Sequence, residues 1–292
     1  MTTLELGELE APVASPCRQS GDEHLSGALL IDAHVHLNRR IAPAALLEAA
    51  ECNFGRARAG LGLNPAALGC LVFTDAADED AFGALLSSLA PSSGWRIART
   101  AEDHSLLALK GLELRLLLIG GRQIRTREGL EVLAVGTRAG IADGEPLNVT
   151  LSAVRRLGAF PILPWGFGKW WGQRGRLMAR VANAAERGTL ALGDNAGRPR
   201  PGPRPHPFSR ALKRGLPVLP GSDPLPLSSH SGRAGSFGFV LEGTVERAQP
   251  ARAICGQLAR LRHQPRVFGA RAGIGRVVLD QVALRVVNRR TN

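Results

Sequence analysis

Leu29-Leu30-Ile31-Asp32-Ala33-His34-Val35-His36-Leu37 (residues 29–37) joins an apolar run to two histidines one residue apart. Alternate residues of a strand share a face, so the run reads as a buried strand whose end turns His34 and His36 the same way while Val35 enters the opposite layer. Two neutral imidazoles at a strand end make half of a metal site. Each taken alone reads as an ordinary polar residue at a strand terminus.

Outward from this strand, apolar runs alternate with amphipathic stretches. Helix is expected at 43–51, strand at 70–75, helix at 79–90, and strands with a hairpin across 112–136. Helices near 147–157, 174–187, 207–214 and 250–262 then flank strands at 159–165, 189–194 and 216–223, ahead of an apolar tail at 276–287. Such repetition indicates parallel strands with crossover helices, either a β/α barrel or a doubly wound sheet. No internal repeat or change of composition divides the chain. Residues 28–292 therefore read as one domain of β/α-barrel size, behind a leader at 1–27 rich in Gly, Pro, Ser and acids.

The 292 residues are 44% hydrophobic and 21% charged, enough for a full core. No apolar run approaches the roughly 18 residues of a membrane span, and the acidic N-terminus lacks a signal-peptide pattern, so a cytoplasmic location is expected. Net charge is +12, yet only Lys110, Lys169 and Lys213 of the 37 basic residues are lysines. With abundant Ala, Gly and Pro, that bias resembles GC-rich coding. The arginines are scattered without a run of five, which argues against a dedicated nucleic-acid surface and for a pocket taking a small anion. Cys17, Cys52, Cys70 and Cys255 show neither C-x-x-C nor zinc-knuckle spacing and read as reduced residues. A G-x-S-x-G elbow is absent, and the glycines at 269–275 lack the dinucleotide fingerprint.

Several motifs, in order, resemble the PHP (polymerase and histidinol phosphatase) family of metal-dependent phosphoesterases, and more distantly the amidohydrolase superfamily. The resemblance spans about residues 29–240 and implies a distorted (β/α)7-type, TIM-like barrel with H-x-H at the end of its first strand. Val72-Phe73-Thr74-Asp75-Ala76 is similar to the family's T-D-H, with Ala76 in place of the His. Residues 121–129, GRQIRTREG, resemble G-x-E-I-x-T-x-E-G, with Gln123 for the bridging Glu. Pro161–Trp165 lacks an expected His-Pro, Leu192–Asn195 lies where another ligand often stands, and Gly221-Ser222-Asp223-Pro224-Leu225 resembles G-S-D-x-H with the His lost. Of nine usual ligand positions, His34, His36, Asp75 and Asp223 survive. The resemblance implies one divalent ion (Mn, Fe or Zn) rather than three, with Asp223 or Asp75 in the proton chemistry of its water.

Residues 164–175, PWGFGKWWGQRG, hold three of the four tryptophans in a Gly-rich loop after a strand, where β/α enzymes build their sites. Trp165 and Trp170 can wall a pocket while Lys169, Arg174 and Gln123 meet an anionic substrate; alternatively the tryptophans pack as a plug. His230 reads either as a replacement ligand or general acid, or as a solvated loop residue, and His206 likewise. His24, His104 and His263 read as structural. The resemblance thus implies a PHP-like hydrolase of a small anion, a phosphoester by analogy with the family. An amidohydrolase and a barrel that has lost catalysis and binds a ligand or protein partner stand as alternatives. A basic RNA- or membrane-associated protein would require arginines clustered on one face.

Overall fold

The computed structural model describes residues 23–37 and 41–291, with side chains to residue 285. The leader expected at 1–27, with Cys17, lies almost wholly outside the described residues. In chain order the elements are β1 (His24–Val35), α1 (Pro43–Leu61), β2 (Leu68–Phe73), α2 (Ala81–Ser88), β3 (Trp95–Arg99), β4 (Ser105–Lys110), β5 (Glu113–Ile119), β6 (Gly121–Arg125) and β7 (Glu131–Val135). There follow α3 (Leu147–Arg156), β8 (Phe160–Pro164), α4 (Gly172–Ala184), β9 (Ala191–Asn195), α5 (His206–Lys213), β10 (Val218–Gly221), β11 (Phe237–Glu246), α6 (Pro250–Arg260), β12 (Val267–Gly269) and α7 (Ile274–Thr291).

These strands form two mixed sheets, ordered β12-β11-β1-β2-β5-β4-β3 and β10-β9-β8-β7-β6. The expected closed barrel is therefore corrected to an open α/β fold. Its reason is edge occupancy. β11, a strand the sequence reading passed over, pairs antiparallel with β1 from His24↔Glu246 to Ile31↔Phe239, and β2 takes the other edge of β1. β4, also unforeseen, pairs antiparallel along β5 and carries β3 beyond it. The links between the sheets are local, among them a bridge Asp75↔Arg122 and a hydrogen bond donated by Asp223 N to His34 O.

Period-two alternation sorts the core. Leu29, Ile31 and Ala33 of β1 join Cys70, Val72, Leu133, Ile162 and Leu219 in an apolar layer shared by the two sheets. Leu30 of β1 packs instead with Leu71, Leu116 and the α1 and α2 residues Leu47, Phe54 and Phe82. α3, α4 and α5 cover the outer face of the second sheet through Val154, Met178 and Phe208. No described helix is long and apolar enough to cross a membrane.

Candidate metal centre

The parity of β1 switches near its end. Ile31 and Ala33 lie in the layer between the sheets but Val35 joins the outer cluster, and the β1–β2 register shifts between Asp32 and Val35. The irregularity releases His34 and His36 toward the second sheet. Their rings meet edge-on at 4.8 Å and 66°, with the two Nε2 atoms 3.0 Å apart.

Asp223, just beyond β10, completes the cluster. Its Oδ1 lies 3.8 Å from His34 Nε2 and 3.7 Å from His36 Nε2. One ligand atom from each of these residues falls within 4.8 Å of the others. Atoms about 2.1 Å from a shared tetrahedral ion sit roughly 3.4 Å apart, so the three residues fit a divalent metal. Gln123 Oε1, 3.2 Å from His34 Nε2, turns a neutral oxygen to the same point.

The backbone that aims Asp223 is constrained from several sides. Asp223 has φ 46°, the left-handed region, which costs about 1–3 kcal/mol in a side-chain-bearing residue. Gly221 lies so close to β1 that an added Cβ would stand 2.5 Å from His34 Cβ. Buried Asp32 accepts from Ser222 Oγ at 2.5 Å, Ser222 N at 2.8 Å, Gly235 N at 2.8 Å and His34 N at 3.3 Å. One carboxylate thereby ties the β10 loop to the histidine strand. Burial pushes the Asp32 carboxyl up to about 7, against the pull of these donors.

Around the three residues lies a polar shell. Asn195, at the end of β9, donates from Nδ2 to Asp223 Oδ2 at 3.0 Å and to Trp165 O at 2.9 Å. Thr74 Oγ1 lies 3.5 Å from His36 Nδ1. Gln123 Nε2 is 3.5 Å from Glu131 Oε1, which also takes the Lys169 ammonium. Burial raises the Asp223 carboxyl, but His34, His36 and Lys169 together bring it below its ordinary value. Burial, then the neighbouring His34, lowers His36, with Asp223 and Glu131 pulling the other way. His34 Nδ1 is buried without a described partner, so its ring lacks the outer acceptor that usually strengthens a ligating imidazole.

The remaining candidates take other places. Asp75 Oδ2 accepts from Phe82 N at 3.0 Å in the first turn of α2, and Asp75 is not in the three-residue group. Arg174 donates to Gly168 O at 3.1 Å and braces its own loop. Trp170 is 8% exposed, edge-on to Phe208 at 5.3 Å and lines the cleft beside α4, whereas Trp165 stays half-buried beside the centre. His230 is neither a ligand nor solvated: it is fully buried, and its Nδ1 accepts from Leu225 N at 2.9 Å. Sequence reasoning missed Glu131, Asp32 and Thr74. Glu131 had a signal: hairpin pairing sets Gln123 opposite Leu133, two residues along, so Glu131 is its same-face diagonal neighbour.

No protein-family model matches the chain, and no curated protein matches it. Among solved structures, PsfC from Pseudomonas syringae PB-5123 aligns with a TM-score of 0.50 and 13% identity, over 89% of this chain and 98% of that one. The lesion-specific endonuclease PfuEndoQ from Pyrococcus furiosus aligns with a TM-score of 0.41 and 11% identity, over 73% of this chain and 52% of that one. The likeness to PsfC is one of fold.

Proposed function

We propose that the protein is a metal-dependent hydrolase of small anionic substrates, of the phosphoester-cleaving kind its PHP-like motifs imply. The observation that carries this reading is the convergence of His34, His36 and Asp223 donor atoms at the ends of β1 and β10. Those three residues would hold one divalent ion, with Gln123 Oε1 alongside. A bound ion of this kind lowers the pKa of its water toward neutrality and polarises a phosphoryl oxygen.

The chain's own groups supply the rest. Asp223, its carboxyl held below its ordinary value and its Oδ2 steadied by Asn195, keeps Oδ1 turned toward His34 and His36 as the anionic donor of the group. Lys169, paired with Glu131, brings one positive charge beside two carboxylates, so an anionic substrate meets a less repulsive field. That lysine offers in fixed form part of the charge that a fuller metal cluster would provide. Asp75 supports the wall of the site through α2.

Turnover of aryl phosphomonoesters and diesters in the presence of Mn, Fe or Zn tests the reading. His36→Ala and Asp223→Asn should each lower kcat by about 10²–10⁴ with the fold intact, and Lys169→Ala should act mainly on KM. Equal turnover in wild type and both centre variants would overturn it.

A further inference from the structure

Five of the arginines that look scattered along the sequence, Arg176, Arg180, Arg198, Arg204 and Arg210, line one groove. A cleft of about 980 Å³ runs between α4 and the Pro-rich segment leading into α5. Arg176 and Arg180, one helical turn apart on α4, line one wall; Arg204 and Arg210 line the other, and among the described residues no Asp or Glu lines the cleft. Arg176, Arg180 and Arg204 are exposed and carry no ion pair among the described residues.

The cleft also carries exposed aromatic surface. Phe167 and Trp171 are 49% and 65% exposed, and their rings are 5.5 Å apart at 58°, which leaves faces open for stacking. Trp165 lies edge-on to Phe167 at 6.5 Å, and its carbonyl is held by Asn195. The row of rings therefore leads from the Asp223 neighbourhood out into the cleft. Exposed tryptophan is costly to keep in water, and guanidinium groups are matched to phosphate geometry. Facing arginines around aromatic rings suit a chain of stacked bases and phosphates; a membrane surface would call for a convex rather than a concave contact.

We infer that the α4–α5 cleft binds a nucleoside phosphate, as a free nucleotide or as a segment of single-stranded nucleic acid. Phosphates would lie against Arg176, Arg180 and Arg204, with a base on Trp171. This binding does not depend on the metal centre, so it stands or falls apart from the hydrolase reading.

The test is fluorescence-anisotropy titration of the full chain, in EDTA, with a labelled thymidine oligonucleotide and with thymidine monophosphate as competitor. Anionic phosphatidylglycerol vesicles form a parallel arm. With three arginines engaged, log affinity for the strand should fall with log salt at a slope of roughly −2, easing to roughly −0.7 in Arg176→Ala/Arg180→Ala. Trp171→Ala should weaken binding roughly 10- to 100-fold, with unfolding unchanged because these side chains are exposed. A strand that outbinds the mononucleotide would identify nucleic acid as the source, and equal binding would identify the nucleotide; either supports the inference. It is overturned if neither probe binds, if the variants bind like wild type, or if vesicles alone bind and lose affinity in the variants.

Discussion

Asp32 is the residue on which the geometry of the candidate centre most depends, because its carboxylate serves four donors from three segments. Asp32→Ala would leave buried N–H groups of Ser222 and Gly235 without an acceptor, at about 1–3 kcal/mol each. A lower urea midpoint should accompany weaker metal binding. Gly221→Ala approaches the same geometry from the other side: its new methyl would collide with His34 Cβ, so it should cost about 1–3 kcal/mol and also impair metal uptake. A stable Gly221→Ala variant with normal uptake would count against so close a packing of β10 on β1. Of these residues, the sequence made His34, His36 and Asp223 legible because H-x-H and G-S-D are local motifs. Asp32 sits in the same quoted motif, but its partners lie about 190 and 203 residues away, beyond any spacing rule.

The element that joins α7 to the candidate centre is a buried charge cluster. Asp280 of α7 takes Arg233 at 2.8 Å and Arg276 at 3.0 Å, and His230 Nε2 stands 3.0 Å away but off-line for a hydrogen bond. Since His230 Nδ1 accepts from Leu225 N, the folded protein holds this ring neutral. Burial lowers the His230 pKa below its ordinary 6.5, against the opposing pull of the Asp280 carboxylate and with a smaller push from Arg233. A depressed histidine contributes stability above pH 6.5 that is lost as pH falls through the folded value, because the unfolded chain binds the proton more readily. Urea unfolding on either side of pH 6.5 should show that loss, and His230→Gln should flatten it; an unchanged slope would remove His230 as its source. At this scale most α-helices were readable from periodicity. β11 was readable too, since Phe239, Leu241 and Val245 of alternating positions turn to the core, but its antiparallel return along β1 was not, because pairing partners carry no local signature.

For the molecule as a whole, the two sheets share one apolar layer, so they should unfold together. Cys70 and Cys255 sit in that layer with thiols raised by burial, Cys255 to about 12, whereas Cys52 is exposed. Maleimide should label Cys52 in the native protein and reach Cys70 and Cys255 in one cooperative step with urea. Separate steps for the two would show that α6, which carries Cys255, opens independently of β2, which carries Cys70. The alternation of strand and helix made an α/β class legible. The barrel expectation failed because three antiparallel segments, β3, β4 and β11, occupy edges that closure would have required. Arginine clustering was illegible for a related reason, since residues 176–180 and 204–210 meet only across the α4–α5 cleft. The central claim is that His34, His36 and Asp223 form one metal centre to which Asp75 does not contribute. Its most direct test is elemental analysis after loading wild type, His34→Ala/His36→Ala, Asp223→Asn and Asp75→Asn with Mn, Fe or Zn. Wild type and Asp75→Asn should each hold about one ion per chain, and the other two variants should lose it; no ion in wild type, or equal loss in Asp75→Asn, would contradict this assignment.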